Sequence, residues 1–168
     1  EDSYKAEIYQ SYSNELNENK VAQGNLLARI RMSVLYYHAN LLNRIVVGTG
    51  DKSEAMLGYF TKYGDGGVDI APIADLYKTQ VRVIAKELGI SNKIINKKSG
   101  PRLWINHDAE DELNMTYDDI DPILFQYSNN QINEDSLSQE QKTIFNNIKD
   151  MNVRNNHKNR MPEICILD

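Results

Sequence analysis

The chain has 168 residues, of which 40% are hydrophobic and 26% are charged. This is the composition of an ordinary globular domain, and it excludes an intrinsically disordered chain. Nineteen Lys and Arg residues against 24 Asp and Glu residues give a net charge of −5. Because an acidic chain lacks the basic surface that nucleic-acid binding requires, we expect no nucleic-acid partner.

The apolar segments and the single cysteine of the chain bear on its location and its crosslinks. No apolar run approaches the roughly 20 residues of a transmembrane helix, and no signal peptide opens the chain, so we expect a cytoplasmic protein with no membrane partner. The one cysteine, Cys165, excludes an intramolecular disulfide. It lies in the apolar tail 164–167, which predicts packing. The chain does not begin with Met and residues 1–20 lack an apolar stripe, so we interpret residues 1–168 as a single, incomplete domain.

The first predicted element is a long helix from Asn25 to Asn43. Apolar residues fall on two neighbouring stripes at helical spacing. A third face is polar and carries Arg29, Ser33, Tyr36, Asn40 and Asn43. A helix that is apolar around most of its circumference suits either a central layer or a subunit interface, and the pattern does not decide between them.

A strand is predicted directly after this helix. Residues 44–49 form a β-branched run without alternation, which is typical of a central parallel strand covered on both faces. Residues 48–54 then form a glycine-bearing turn in which Asp51 or Ser53 caps the next helix. Open α/β sheets bind their ligands at such strand-to-helix turns.

A second glycine-rich loop, residues 64–67, allows the backbone to approach another group closely. It leads into a short strand at 68–73 and then into a helix from about Asp75 to Leu88, which stops at Gly89. The apolar face of this helix carries Tyr77, Val81, Ile84 and Leu88.

Three more helices are predicted in the C-terminal part of the chain. The first covers residues 92–97, and the next two are capped by Thr116 with Asp119 and by Ser138 with Gln141.

The order of elements is that of an α/β fold. Two strands and a third in the tail cannot form a doubly covered parallel sheet. Either the missing strands lie in preceding chain or in a partner polypeptide, or the prediction for the middle segment assigns its secondary structure wrongly.

Several separated blocks between about residues 20 and 165 resemble NAD synthetase. Gly24, Asn25 and residues 28–32 resemble the GN..aR.RM signature of that family. Residues 47–66, VGTGDKSEAMLGYFTKYGDG, are similar to its GT..KSE...GyfTkyGDG block. Further matches in order and spacing are Pro72, Lys78, Thr79, Gln80, residues 103–117, His157 and Lys158.

The resemblance implies an ATP pyrophosphatase. Its fold would be a Rossmann-like parallel sheet that binds adenine nucleotides and is flanked by helices. The N-terminal strands of this sheet would lie outside this chain. It implies that ATP adenylates the nicotinate carboxylate of deamido-NAD. Ammonia then attacks the acyl-adenylate to give NAD and AMP, pyrophosphate having left in the first step. A homodimer that needs Mg²⁺ is also implied.

The same resemblance assigns binding roles but no residue that itself reacts. Glu54 is expected to bind Mg²⁺, and Thr49, Lys78 and Ser99 are expected to bind ATP. The residues expected to bind deamido-NAD are Arg29, Lys62, Asp69, His157 and Lys158. Each of these residues apart from Ser99 also has a simpler interpretation. Glu54 would be a carboxylate in the first turn of a helix, Thr49 a strand end, and Asp69 a turn residue. Lys62 and Lys78 would be solvated surface residues, Arg29 would form an interface salt bridge, and His157 and Lys158 would interact with a helix dipole.

The chain departs from the family pattern at two places. Gly100 stands where the family has an ATP-contacting Ser or Thr, and Ser99 is the nearest substitute. The SGGxDS phosphate loop occurs nowhere in the 168 residues. We therefore expect the C-terminal two-thirds of a synthetase that is inactive alone and uses ammonia rather than glutamine. The alternatives are another amide-forming ATP pyrophosphatase and a noncatalytic fragment that dimerises and binds nucleotide.

Overall fold

The computed structural model describes residues 19–166. Its α-helices are α1 (Lys20–Leu42), α2 (Lys52–Leu57), α3 (Lys78–Glu87), α4 (Asn92–Ile95), α5 (Ala109–Leu113), α6 (Tyr117–Ser128) and α7 (Gln139–Asn155), with 3₁₀ turns at Glu134–Ser136 and Asn156–Asn159. The chain forms two compact units. Unit 1 comprises the described part of Glu1–Thr49 with Thr61–Pro72 and Lys98–Glu112, and unit 2 comprises Gly50–Phe60, Ile73–Lys97 and the described part of Leu113–Asp168. The single domain expected from the sequence stays a prediction.

Helix α1 of unit 1 is the long helix that the sequence predicts. It begins at Lys20 rather than Asn25 because the side chain of Asn19 accepts a hydrogen bond from Ala22 N and caps it. The buried residues of α1 are Gly24, Ala28 and Ala39. Leu41 and Leu42 are more than 60% exposed. Residues 19–166 therefore do not cover the apolar stripes of α1 as a central layer would.

The two predicted strands of unit 1 meet in a parallel bridge between Val47 and Ile70. Gly48 N donates to Ile70 O, and Asp69 N donates to Val46 O. The parallel direction agrees with the prediction, but within residues 19–166 the bridge does not extend into strands. Val46 is buried while Val47 is 53% exposed, so the predicted cover on both faces is not formed there. A central strand is paired on both sides, and the described chain supplies a partner on one side.

The glycine loop of unit 1 packs against helix α1. A Cβ on Gly64 would lie 2.9 Å from Ala28 Cβ, and one on Gly67 would lie 3.1 Å from Met32 Cγ. The predicted close approach of this backbone is therefore confirmed, and the neighbouring group is the helix.

The helix starts of unit 2 follow the capping signals in the sequence. Asp51 caps α2, as predicted, and forms a capping box with Glu54. Helix α3 begins at Lys78 instead of Asp75 because Tyr77 is extended and its N–H donates to Gln80 Oε1. Helix α4 ends at Ile95, earlier than predicted.

The core of unit 2 is built by α6 and α7, which pack against each other and against α2. The predicted caps Thr116 and Ser138 both form. The fully buried aliphatic side chains are Leu57, Ile120, Leu124 and Ile148. The apolar face predicted for α3 is only partly covered by the described residues, because Ile84 and Leu88 are 40% and 74% exposed.

The predicted packing of the C-terminal tail is wrong for its described residues. Ile164 and Ile166 are each 85% exposed and Cys165 is also exposed. The tail from Met161 has no secondary structure that would hold it against a core. Leu167 lies outside the described residues. Among the helices of residues 19–166, none has the length and apolar character needed to cross a membrane.

Candidate functional site

Unit 2 brings three charged side chains together at the first turns of α2 and α3. Lys78 Nζ lies 2.6 Å from Asp51 Oδ2 and 2.6 Å from Glu54 Oε1. The capping box fixes both carboxylates, because Glu54 N donates to Asp51 Oδ1 and Asp51 N donates to Glu54 Oε2. The structure thus places Glu54 and Lys78, two of the predicted site residues, in direct contact. We call Asp51, Glu54 and Lys78 the charged cluster.

Burial strengthens the ionic contacts of the charged cluster. The side chain of Asp51 is 1% exposed, and those of Lys78 and Glu54 are 14% and 24% exposed. Burial raises the pKa of Glu54, and the Lys78 ammonium opposes part of that rise. Burial alone would lower the pKa of Lys78, but the carboxylates of Glu54 and Asp51 outweigh it and leave the pKa raised. With both carboxylates ionised, the contribution of Lys78 to stability is therefore full below pH 10.5, the ordinary value for lysine, and is lost as the pH rises through the folded-state pKa.

A buried hydrogen-bond network lies beside the charged cluster, and sequence reasoning missed it. Asp121 Oδ1 accepts from Ser53 Oγ at 2.6 Å. Asp121 Oδ2 accepts from Thr79 N at 2.8 Å and from Thr79 Oγ1 at 2.7 Å. Ser53 Oγ accepts from Lys78 N at 3.0 Å. The available signal was an acidic residue among the apolar positions of α6, next to Pro122.

Lys158 lies at the opposite end of α2. Its Nζ donates to Gly58 O at 2.7 Å and to Phe60 O at 2.9 Å. Three asparagines bond the preceding carbonyls: Asn159 to Ala55 O, Asn152 to Met56 O and Asn155 to Leu57 O. These four side chains, which we call the carbonyl clamp, satisfy acceptors that a helix C-terminus leaves open. His157 is exposed on the 3₁₀ turn Asn156–Asn159.

Unit 1 holds three of the residues expected to bind deamido-NAD. Arg29 is exposed on α1, and its Nε donates to Lys62 O at 3.3 Å, so these two residues are neighbours. Asp69 uses both carboxylate oxygens within unit 1. Its Oδ2 accepts from Val46 N at 2.7 Å and its Oδ1 accepts from Tyr36 Oη at 3.1 Å. Asp69 thus supports the turn beside the parallel bridge, which was the simpler interpretation of this residue.

The remaining two predicted residues also lie in unit 1. Thr49 is exposed, and the Ser99 carbonyl accepts from Ala109 N at 2.8 Å. A Cβ on Gly100 would lie 2.3 Å from His107 O. The carbonyl of His107 therefore leaves no room for the Ser or Thr side chain that the family pattern has at this position. The ring of His107 is itself fixed, stacked on Trp104 with 3.4 Å between ring centroids and 2.6 Å from Glu112 Oε2.

The charged cluster contains one partly exposed carboxylate, that of Glu54, of the type that binds magnesium. Residues 19–166 contain no group of three or more His, Cys, Asp or Glu side chains that would hold a metal alone. Mg²⁺ is commonly bound by one or two carboxylates together with waters and substrate phosphates. Glu54 offers one partly exposed carboxylate, whose Oε1 lies 2.6 Å from Lys78 Nζ and whose Oε2 accepts from Asp51 N.

The chain matches known proteins over most of its length. The family model described as NAD synthase matches residues 3–162. The NH(3)-dependent NAD(+) synthetase of Saccharolobus solfataricus is 53% identical over 132 residues, which are 78% of this chain and 48% of that protein. The enzyme of the same name from Staphylothermus marinus is 47% identical over 165 residues, which are 94% of this chain and 60% of that protein. The chain therefore spans about half the length of these relatives.

Solved structures give the same similarity in three dimensions. The NMN synthetase of Francisella tularensis superposes with a TM-score of 0.80 at 31% identity, covering 95% of this chain and 63% of that one. The NH3-dependent NAD synthetase of Campylobacter jejuni, in complex with the nitrate ion, gives a TM-score of 0.75 at 30% identity, covering 96% and 63%. These neighbours support an α/β fold.

The charged cluster predicts a large difference in the free energy of unfolding between two lysine variants. Lys78→Met leaves the buried carboxylate of Asp51 and the partly exposed carboxylate of Glu54 without their cation, so we expect a loss of about 3 kcal/mol in the free energy of unfolding. Lys52→Met is the matched control, because the partner of Lys52, Asp75, is 95% exposed and such a pair contributes less than about 1 kcal/mol. Urea unfolding followed by circular dichroism measures both. Equal losses would contradict the role of the cluster.

The crowding at Gly100 predicts a second difference. Gly100→Ala forces a methyl group onto the His107 carbonyl, so we expect a loss of about 1–3 kcal/mol in the free energy of unfolding. Gly50→Ala is the control, because the nearest atom to its new Cβ is Glu54 Oε2 at 3.9 Å. Thermal unfolding of the two variants side by side compares them. An unchanged midpoint for Gly100→Ala would show that the Lys98–Glu112 segment accommodates a side chain there.

Proposed function

The chain belongs to the NAD synthase family, and from that membership we propose that the protein carrying it is an ammonia-dependent NAD synthetase. The proposed substrate is deamido-NAD. In the first step a nicotinate carboxylate oxygen bonds to the α-phosphorus of ATP, and the bond from that phosphorus to the departing pyrophosphate breaks. In the second step the nitrogen of ammonia bonds to the carbonyl carbon, AMP leaves with the bonding electrons, and a proton is released.

The charged cluster is the observation that carries this proposal. Glu54 would hold Mg²⁺, which when bound neutralises phosphate charge. Lys78 supplies a fixed ammonium whose position is set by two carboxylates, and such prearranged charge is the main contribution of a protein to phosphoryl chemistry. The raised pKa of Lys78 keeps this group cationic at neutral pH.

The further binding roles remain part of the proposal. We assign ATP contacts to Thr49, Lys78 and Ser99, and deamido-NAD contacts to Arg29, Lys62, Asp69, His157 and Lys158. The hydrogen bond from Arg29 Nε to Lys62 O supports the second group, because it makes these two residues neighbours. Asp69 and Lys158 already bond to their own chain, so their contacts with substrate would add to those bonds or replace them.

A Rossmann-like parallel sheet and a homodimer belong to the same proposal. The parallel bridge between Val47 and Ile70 supports the sheet, whose other strands we assign to chain outside the 168 residues. Exposed apolar side chains on α1 support the dimer, among them Leu35 at 55%, Tyr37 at 64% and Leu41 at 66%. Light scattering on the purified protein decides the oligomeric state, and the mass of a monomer would refute the dimer. The cytoplasmic location stays a prediction.

A second candidate substrate comes from the similarity to a protein titled NMN synthetase. The chemistry at the carboxylate would be the same, but the acceptor would be a nicotinate mononucleotide rather than a dinucleotide. Assays with ATP, Mg²⁺ and ammonia that follow amide product by mass separate the two candidates. Product from the mononucleotide alone would overturn deamido-NAD as the substrate. Product from neither would overturn the proposed function.

Glu54→Gln tests the proposed reaction directly. The variant keeps the shape of the side chain but removes the charge that we assign to Mg²⁺, so we expect kcat/KM for ATP to fall at least about 100-fold. The control is Glu87→Gln, an exposed glutamate at the last position of α3, which should keep the activity of the parent protein. Initial rates at varied Mg²⁺ concentration measure the effect. A Glu54→Gln variant with unchanged magnesium dependence would exclude the assigned role.

A further inference from the structure

We propose that Asp121 is a positioning residue that fixes the first turn of α3 and thereby holds the Lys78 side chain in place for reaction. The inference rests on the proposed function, in which Lys78 binds ATP. Asp121 lies on α6, far along the chain from the residues that it orients. It acts through Ser53 and Thr79 and is not itself a catalytic residue.

The geometry connects Asp121 to both helices that carry the charged cluster. One carboxylate oxygen accepts from Ser53 Oγ on α2, and the other accepts twice from Thr79 on α3. Ser53 in turn accepts from Lys78 N. A single carboxylate therefore joins Ser53, which precedes Glu54, to Thr79, which follows Lys78.

The backbone of α3 explains why an acceptor is needed at this place. The first N–H groups of a helix have no acceptor within the helix, and when buried they require one from elsewhere. Ser53 serves the N–H of Lys78, and Asp121 serves the N–H of Thr79. Loss of these acceptors would let the first turn of α3 move, and Lys78 would move with it.

The buried carboxylate of Asp121 needs hydrogen-bond donors, and the donors that it has lie around the turn that carries Lys78. Asp121 is 4% exposed and Ser53 is fully buried. A buried carboxylate costs free energy unless several donors satisfy it. Asp121 receives three hydrogen bonds from neutral donors, and these converge on the turn that carries Lys78.

The substitution Asp121→Asn removes one hydrogen-bond acceptor and keeps the shape of the side chain. An amide has one acceptor oxygen instead of two, so either Ser53 or Thr79 faces an NH₂ group. The matched control is Asp118→Asn on the same helix, because the Asp118 side chain is 78% exposed and lies 3.7 Å from Arg82. Ser53→Ala is the second variant, since it removes the acceptor of the Lys78 N–H while Asp121 still serves Thr79.

The experiment combines amide hydrogen exchange with steady-state kinetics on the whole protein. In Asp121→Asn we expect exchange at the Lys78 and Thr79 amides to accelerate at least about tenfold, and KM for ATP to rise about tenfold with KM for deamido-NAD unchanged. In Ser53→Ala we expect acceleration at Lys78 with less change at Thr79. Asp118→Asn should match the parent protein in both measurements.

Each outcome decides the inference. Unchanged exchange at both amides in Asp121→Asn overturns it, and so does an unchanged KM for ATP with a fall in apparent kcat no larger than the fall in the folded fraction, because that is the result of a merely structural loss of folded protein. If Asp121→Asn does not fold, Ser53→Ala decides by the same two measurements. If the parent protein makes no amide product, the proposed function fails while the exchange data still decide whether Asp121 holds the turn.

Discussion

Lys78 places one positive charge where α2 and α3 begin, and its two ion pairs hold the starts of these helices together. A lysine in the first turn of a helix is unfavourable by itself, because the N-terminal end of the helix already carries partial positive charge. Asp51 and Glu54 compensate for it from the first turn of α2. The result is a compact set of fixed charges with one partly exposed carboxylate.

The parts of this arrangement that depend on local sequence could be predicted. Capping boxes operate over three residues, so Ser138 was identifiable as a helix start from its neighbours alone, and Asp51 was one of two candidates beside Ser53. Glu54 and Lys78 were found through the resemblance to NAD synthetase, and the structure brings them into contact. Their contact itself was not evident, because 24 residues separate them in the chain.

The parts that depend on distant contacts could not be predicted. Asp121 is one acidic residue among several in its segment, and its role appears only when α6 packs beside α2 and α3. Gly100 looked like a lost ATP contact, whereas the structure shows a carbonyl group occupying the space of its side chain. The tail was misjudged because an apolar sequence predicts burial but does not supply the element that would cover it.

The carbonyl clamp has a consequence for the order in which the chain acquires its structure. Four side chains between Asn152 and Asn159 satisfy the backbone oxygens at the end of α2, about a hundred positions earlier in the chain. Contacts of such long sequence separation slow folding, because a large loop must close before they form. During synthesis on the ribosome, the carbonyl groups at the end of α2 would therefore lack these hydrogen-bond donors until residues 152–159 have emerged from the exit tunnel.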